Sequence, residues 1–471
     1  MALTRGSVLR LLALALCSIC IVSAAPSKRA VLPLPPNVDP FYDPPAGYQN
    51  EANGAVLRSR IVVSSFLGLV PAADVITYQL LYRTQAVNGS AIAGVTTVFR
   101  PLLSPKLDRF VSFQTAYDGS ALVCDPSYSY QLGAAQVDLI TDSEFLLLEA
   151  YLSEGYIVSA PDYEGPDAAF GAGRLAGTGV LDSMRAVRNF HQTLGMTTDN
   201  PAIVAQGYSG GAIATGWAAS LQPTYASELP IKGWACGGTP ANVTGTAVFI
   251  DGTAFAGFLP ASINGLQKPS AYGAQLKALI ASIVTPYGEF LLDFANNNCV
   301  ANLAIFFEQY ITSTKVQSLG DQLFYQPAIA GVLAQQTMGV SANITPTAPV
   351  YMYHAVPDEV IPYSNASTLY HAWCGYGAEV NFVTFANGGH LTTEILGFPG
   401  AFDFVKKAFA GNVGFSGCIQ STVLNNTLNP IALGASLEPI TSQLINVLGK
   451  LGREDINVIS NLNVLNETVS T

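Results

Sequence analysis

Charge is scarce in this chain: Asp, Glu, Lys and Arg make up 11% of 471 residues, and only four residues are histidine. With 49% hydrophobic residues beside so little charge, intrinsic disorder is excluded, because such a chain can bury enough apolar surface to offset the entropy of ordering it. An excess of cations is missing too. The 21 Lys and Arg face 32 Asp and Glu, which leaves nothing to hold a polyanion, so no nucleic-acid partner is expected and the acidity serves solubility. No group of Cys, His and Asp has the spacing of metal ligands, and neither a metal nor a cofactor is implied. Past residue 24 no apolar run reaches the roughly 20 residues of a membrane span, so stable membrane insertion is not expected.

What the chain does have begins at its N-terminus. Arg5 and Arg10 lead into the apolar run 11–16, and Val22-Ser23-Ala24 supplies small residues for cleavage, the pattern of a secretory signal peptide over 1–24. Lys28-Arg29 offers a second, dibasic processing step. Removal of the signal takes away two cations and no acid, moves the formal charge from −11 to −13, and predicts a secreted, extracellular protein. Cys17 and Cys20 leave with it. Of the remaining Cys124, Cys236, Cys299, Cys374 and Cys418, an oxidising compartment allows two bridges and a free thiol, or an intermolecular link. Six Asn-x-Ser/Thr sequons are glycosylation candidates: Asn88, Asn242, Asn343, Asn365, Asn425 and Asn466.

The proline-rich stretch 25–48 predicts extended surface chain. Candidate strands at 59–63, 75–83 and 94–100 look like the antiparallel edge of a sheet. Strands at 110–114, 156–160 and 202–206 then alternate with helices at 144–152 and 178–194; in the second helix Leu181, Met184, Val187 and Phe190 recur at helical spacing. Such alternation argues for an α/β fold, a mainly parallel sheet covered on both faces. After another strand at 231–235 the alternation stops. Residues 245–346 hold helical pieces such as 272–285, which is an insertion where α/β enzymes place a lid or cap; a fixed structural subdomain is the alternative. The core, begun over 49–244, resumes over 347–418 with strands at 349–354 and 380–385 and a helix at 401–410. In the remaining 419–471, Pro439 opens a run with Ile440, Leu444, Ile445, Leu448 and Leu451 on one helical face, followed by a polar tail.

Gly207-Tyr208-Ser209-Gly210-Gly211 fits G-x-S-x-G between the strand at 202–206 and a helix beginning at Ala212. A nucleophile elbow needs that strand-turn-helix setting, and needs glycine at 207 and 211 where chain segments approach closely. A glycine-rich turn without chemistry is the alternative. A serine hydroxyl needs a histidine to take its proton and a carboxylate to steady the imidazolium. His191 falls within the predicted helix 178–194 and His371 in a helical segment, where packing or solvation explains them. His354 ends a strand only four residues before the best acid. His390 follows the turn Ala386-Asn387-Gly388-Gly389 after the last strand and is the chosen base, on a loop. Asp358, in Pro357-Asp358-Glu359, is the chosen acid and Glu359 the alternative. The order Ser209, Asp358, His390 is that of α/β-hydrolases and differs from both major serine-protease orders. Gly210 supplies one backbone donor for an oxyanion; the usual HGGG-type loop is absent, and Gln114-Thr115-Ala116-Tyr117-Asp118-Gly119 stands in its place.

Several segments in fixed order carry a resemblance: Asp39-Pro40-Phe41-Tyr42, Leu81-Tyr82-Arg83-Thr84, Tyr117-Asp118, Cys124-Asp125-Pro126-Ser127-Tyr128, Pro161-Asp162-Tyr163-Glu164-Gly165, the Ser209 pentapeptide, Gly237-Gly238-Thr239-Pro240 and His354-Ala355-Val356-Pro357-Asp358-Glu359. With these the chain resembles the fungal secretory lipase family, that of Candida antarctica lipase A, from about residue 37 to 418. The resemblance implies an α/β-hydrolase with a helical lid and a C-terminal flap within 419–471, acting on acylglycerol esters at oil–water interfaces. It implies Ser209, Asp358 and His390 as the triad and Asp118 with Gly210 as the oxyanion hole. Asp118 would serve there protonated or through its backbone N–H, since a carboxylate would repel the oxyanion. It further implies bridges Cys124–Cys299 and Cys374–Cys418, the second enclosing His390, and leaves Cys236 as a buried free thiol that departs from the family pattern. The expected function is a secreted serine ester hydrolase, a triacylglycerol lipase working through an acyl-enzyme on Ser209. An esterase or acyltransferase for smaller esters, and a non-catalytic binding protein on the same scaffold, stay open.

Overall fold

Short runs rich in β-branched and aromatic residues become the strands of one sheet. The computed structural model describes residues 32–72, 74–135, 139–299, 303 and 308–424. The expected signal peptide, Lys28-Arg29, the predicted helix from Pro439, and the sequons at Asn425 and Asn466 lie outside the described residues. The chain divides into a unit of residues 1–33 and a unit of 34–471, and every element below belongs to the second.

The strands in chain order are β1 (Val56–Val62), β2 (Ser65–Phe66), β3 (Val70–Pro71), β4 (Val75–Gln85), β5 (Ala91–Pro101), β6 (Lys106–Gln114), β7 (Tyr156–Pro161), β8 (Ala202–Tyr208), β9 (Ile231–Gly237), β10 (Val350–Ala355), β11 (Val380–Phe385) and β12 (Cys418–Val423). β2 and β3 pair with each other; the other ten form one sheet in the order β1-β4-β5-β7-β6-β8-β9-β10-β11-β12. β1, β4 and β5 are antiparallel, as the sequence predicts, and β5 meets β7 antiparallel. From β7 to β12 every pairing is parallel. The chain steps from β6 to β7 on one side and then to β8 on the other. The carboxyl ends of β6 and β8 therefore flank a switch point, where open α/β sheets place their sites.

Helices cover both faces, which is why β7 and β10 are buried along their whole length and read as unbroken apolar runs. On one face Val111, Val158, Val204 and Tyr353 pack with Phe145 and Leu148 of the helix Leu139–Ser153 and with Phe398 and Val405 of the helix His390–Phe409. On the other, Phe110, Ile157, Ile203 and Met352 pack with Val180 and Met184 of the helix Gly173–Asn189 and Trp217 of the helix Gly210–Tyr225.

Two helices depart from the sequence reading for the same reason. Gly173–Asn189 begins five residues before the expected Thr178, through glycines that disfavour helix. A Cβ at Gly173 would lie 2.2 Å from the Trp217 ring and one at Gly177 2.8 Å from the Trp217 backbone, so close helix packing outweighs propensity. The same helix ends at Asn189, which leaves His191 in the following turn, its Nδ1 2.7 Å from the Arg188 carbonyl. His390–Phe409 begins eleven residues before the expected Ala401 and runs through Pro399. Cβ atoms at Gly397 and Gly400 would strike Tyr353 and Tyr351, so these glycines answer to tyrosines of β10 rather than to a loop. His390 accordingly opens a helix instead of standing on a loop.

Between β9 and β10 the described residues contain no strand of the sheet. The helices Val243–Ile250, Phe258–Leu266, Gly273–Ile283, Pro286–Asn296 and Pro327–Ala334 share an apolar cluster that includes Leu259, Leu276, Ile280 and Val332. Their ties to the loop after β6 are specific: Ser120 Oγ donates to the Ala295 carbonyl at 3.1 Å and Lys268 Nζ to the Ser120 carbonyl at 3.1 Å. At the far edge β12 carries the sheet five residues past 418, into the stretch read from sequence as flap and tail. Its polar, mostly exposed residues hide the strand because an edge has no buried face to impose alternation. Among the described residues no helix is long and apolar enough to cross a membrane.

Candidate active site

β8 ends at Tyr208 and the next helix starts at Gly210, which leaves Ser209 to make the turn alone, with φ 50° and ψ −121°. A non-glycine residue held there costs about 1–3 kcal/mol. The Ser209 N–H bonds the Gly237 carbonyl at 3.0 Å, and the Ser209 carbonyl accepts from Ala212 and Ile213. A Cβ at Gly207 would lie 2.3 Å from the Gly211 carbonyl oxygen, and one at Gly211 1.9 Å from that of Gln114. Both glycines are therefore steric requirements of the turn.

The hydroxyl so presented meets a histidine. Ser209 Oγ is 2.8 Å from His390 Nε2, and His390 Nδ1 is 2.7 Å from Asp358 Oδ2. Asp358 Oδ1 accepts the N–H groups of Val360 and Ile361 at 3.0 and 2.7 Å, which fixes the carboxylate toward the ring. Glu359, the alternative acid, does a different job: its Oε2 accepts the His390 backbone N–H at 2.9 Å. Tyr208, the residue before the serine, donates its hydroxyl to the His390 carbonyl at 2.6 Å. His354 is buried behind the acid, its Nε2 3.0 Å from the Ile361 carbonyl and 3.3 Å from Asp358 Oδ2. The four-residue spacing that argued against it as the base is what places it on the same carboxylate. His371 is exposed on the helix Tyr363–Gly375.

Electrostatics follow from this packing. Burial raises the Asp358 pKa, but the facing His390 and its hydrogen bond, then His354, outweigh it and hold the carboxyl below its ordinary value. Burial lowers His354 more than Asp358 raises it, so that ring stays neutral. For His390 burial also lowers the pKa, yet Asp358, then Glu359 and Glu394, lift it to about 9. The pair thus favours the imidazolium that a proton from serine would create.

Asp118, on the loop after β6, has φ 41° and a buried side chain directed at the elbow: a Cβ on Gly210 would lie 1.5 Å from Asp118 Oδ1. That oxygen has no hydrogen-bond partner among the described residues. Burial raises the Asp118 pKa to about 7, against the pull of His390. Ser209, Gly210 and Asp118 border one apolar cavity, walled by Phe170, Ile213, Ile250, Phe258 and Leu259 among others. A serine hydroxyl bonded to a histidine, that histidine bonded to an acid, and a helix N-terminus and a buried acid beside one apolar cavity are an arrangement that can support acyl transfer.

Residues 130–417 match the model of the family described as secretory lipase. The chain belongs to the secretory lipase family. It is 37% identical to a secreted triacylglycerol lipase of Malassezia furfur, LIP1, over 88% of this chain and 84% of that protein. With lipase 6 of Candida albicans it shares 34% identity over 84% of this chain and 86% of that protein. Among solved structures, Candida antarctica lipase A in its closed state superposes with a TM-score of 0.78 at 32% identity, covering 88% of this chain and 96% of that one.

In this secretory lipase disulfides join Cys124 to Cys299 and Cys374 to Cys418. Cys236 is a buried free thiol on β9, paired in register with Gly207, and burial pushes its pKa up. The sequons differ in setting. Asn88 and Asn343 are exposed. Asn365 is buried, its Oδ1 accepting the Asn242 N–H at 2.5 Å, while Asn242 Oδ1 caps a helix through the Gly245 N–H at 3.0 Å.

Proposed function

We propose that this secretory lipase is a secreted triacylglycerol lipase, a serine ester hydrolase that works through an acyl-enzyme on Ser209. The observation that carries the reading is the unbroken chain of hydrogen bonds from Ser209 Oγ through His390 to Asp358, opening on an apolar cavity. The names of the relatives, secreted triacylglycerol lipases, support the substrate class.

Ser209 Oγ attacks the ester carbonyl carbon and its proton passes to His390 Nε2, whose positive charge Asp358 steadies. The oxyanion accepts hydrogen bonds from the Gly210 N–H and from Asp118, acting as a neutral acid. Collapse breaks the bond to the alcohol oxygen, His390 returns the proton to it, and the acyl group remains on Ser209. Water then gives a proton to His390 and attacks the acyl carbon; collapse breaks the bond to Ser209 Oγ, His390 returns the proton to that oxygen, and a fatty acid leaves. Acyl chains lie in the apolar cavity, and the helical insertion 245–346 forms its cap at an oil–water interface. Residues 1–24 act as the signal peptide. Among the sequons in the described residues, Asn88 and Asn343 are placed to carry glycans, because the side chains of Asn242 and Asn365 are committed inside the fold.

Hydrolysis of emulsified triacylglycerols of four- to eighteen-carbon chains, above and below solubility and with Ser209→Ala as control, tests the reading. Serine-dependent hydrolysis of long-chain emulsions is the expected outcome. Activity confined to short soluble esters would make the protein an esterase, and none would end the hydrolase reading.

A further inference from the structure

Behind the triad lie two acidic side chains that the reaction above does not use. Glu144, on the helix Leu139–Ser153, is buried, and its Oε2 accepts the Ala116 N–H at 2.7 Å. Ala116 is two residues before Asp118, so this bond holds the loop that carries the oxyanion donor. Glu394 lies four residues beyond His390, one turn along the same face of the histidine's helix, and is also buried. The two helices pack against each other, the Tyr151 ring lying 5.8 Å from Phe398 and 5.0 Å from Phe402, and bring the Glu144 and Glu394 side chains within hydrogen-bond reach. Two carboxyl groups can bond only if one keeps a proton, because two carboxylates have no donor between them and repel.

We propose that Glu144 and Glu394 form a one-proton bridge that locks the oxyanion loop to the helix of the catalytic histidine, making both of them positioning residues for the hydrolysis at Ser209. The inference rests on the serine hydrolase reading. Burial raises both pKa values, Glu144 well above the carboxylate range, so the proton is held. Asp118, Tyr163, Tyr208 and Tyr353 act on the pair, and His390 is the one cation among the described residues that does so strongly. A salt bridge therefore does not replace the shared proton. The bridge joins β6's loop to the helix after β11, the two segments whose relative placement sets the distance between oxyanion donor and base.

Glutamine can stand in for a protonated glutamate: in Glu144→Gln the carbonyl oxygen accepts from Ala116 and the amide donates to Glu394. Alanine can do neither. The test compares kcat and KM of wild type, Glu144→Gln, Glu144→Ala and Glu394→Leu on a soluble ester, with Ser209→Ala as blank and thermal unfolding to show that each variant is folded at the assay temperature. Glu144→Ala is expected to lower kcat at least tenfold with KM within twofold of wild type, and Glu144→Gln to restore kcat to within threefold. Glu394→Leu cuts the tie on the helix side alone and must lower kcat in the same sense, which keeps the inference testable if Glu144→Ala does not fold. Folded Glu144→Ala or Glu394→Leu with unchanged kcat would overturn it, as would a Glu144→Gln variant as slow as Glu144→Ala. A wild type no faster than Ser209→Ala would instead remove the hydrolase reading itself.

Discussion

Gly210 and Asp118 occupy complementary space: the first Cβ atom added at 210 would fall 1.5 Å from Asp118 Oδ1. The backbone at 210 opens a regular helix, so alanine is tolerable there in every respect except this one. Gly210→Ala is therefore expected to fold with near wild-type stability while pushing the Asp118 carboxyl out of the oxyanion position. The loss in kcat should be about 10²–10³-fold, that of removing one oxyanion donor. It should also add little to Asp118→Ala in the double variant, since both remove the same group. Full additivity in steady-state kinetics would mean that the two act separately.

Whether Asp118 works through its carboxyl or its backbone can be decided by titration. Burial lifts the carboxyl to about 7, so it is neutral and able to donate below that pH and becomes a repelling anion above it. His390, lifted to about 9, imposes the same rising limb on wild type and Asp118→Asn, so it is relative to Asp118→Asn at each pH that wild-type kcat should fall as pH rises through about 7. Asp118→Asn keeps a neutral donor that does not ionise and should lack this fall, whereas Asp118→Ala should lower kcat about 10²-fold at every pH. Equal, wild-type-like profiles for the Asn and Ala variants would assign the donor to the backbone.

The elbow was readable because its constraint is local: both glycines answer to backbone within the turn or on the neighbouring strand, and the motif carries them. The central strands were readable for a related reason, that burial on two faces leaves only apolar residues to choose from. What escaped was set from a distance. Pro399 and the glycines around it look like a break until Tyr351 and Tyr353, more than forty residues earlier, are seen against them. Gly173 and Gly177 look like loop until Trp217 fills the space they leave. Asp118 is marked by the family resemblance alone, since nothing in its own neighbours signals a buried acid, and Glu144 and Glu394 are separated by a distance in sequence that no local pattern bridges.

Buried acids set how stability varies with pH. Burial raises the pKa values of Asp118, Asp142 and Asp162 to about 7, far above the roughly 4 of an unfolded aspartate. The folded state then holds more protons than the unfolded state between these values, and stability must fall as pH rises from about 4 to about 7. Asp358 works the other way: its pKa is depressed, so its contribution is lost as pH drops below the unfolded value. The two together place the maximum near pH 4–5. Urea unfolding at constant ionic strength should show at least about 2 kcal/mol less stability at pH 8 than at pH 5. A flat or rising curve over that interval would mean that these acids are ionised in the native state.

The Cys374–Cys418 bridge closes a 44-residue separation that contains His390 and ties the edge strand β12 to the helix Tyr363–Gly375. In the chain-entropy account such a loop restricts the unfolded state by about 4 kcal/mol. Replacing both cysteines by serine should lower unfolding stability by about 2–4 kcal/mol, with the serine–histidine–aspartate geometry intact below the transition, because the bonds that hold His390 come from Tyr208, Asp358 and Glu359 and not from the bridge. Near wild-type kcat at low temperature, together with a lowered midpoint, is the expected pair of results. A loss of kcat in the fully folded variant would instead give the bridge a part in placing the base. Cys236 supplies an internal check on folding in the same experiment: buried and with its thiol pKa raised, it should resist alkylation in the native protein and react only as the chain unfolds.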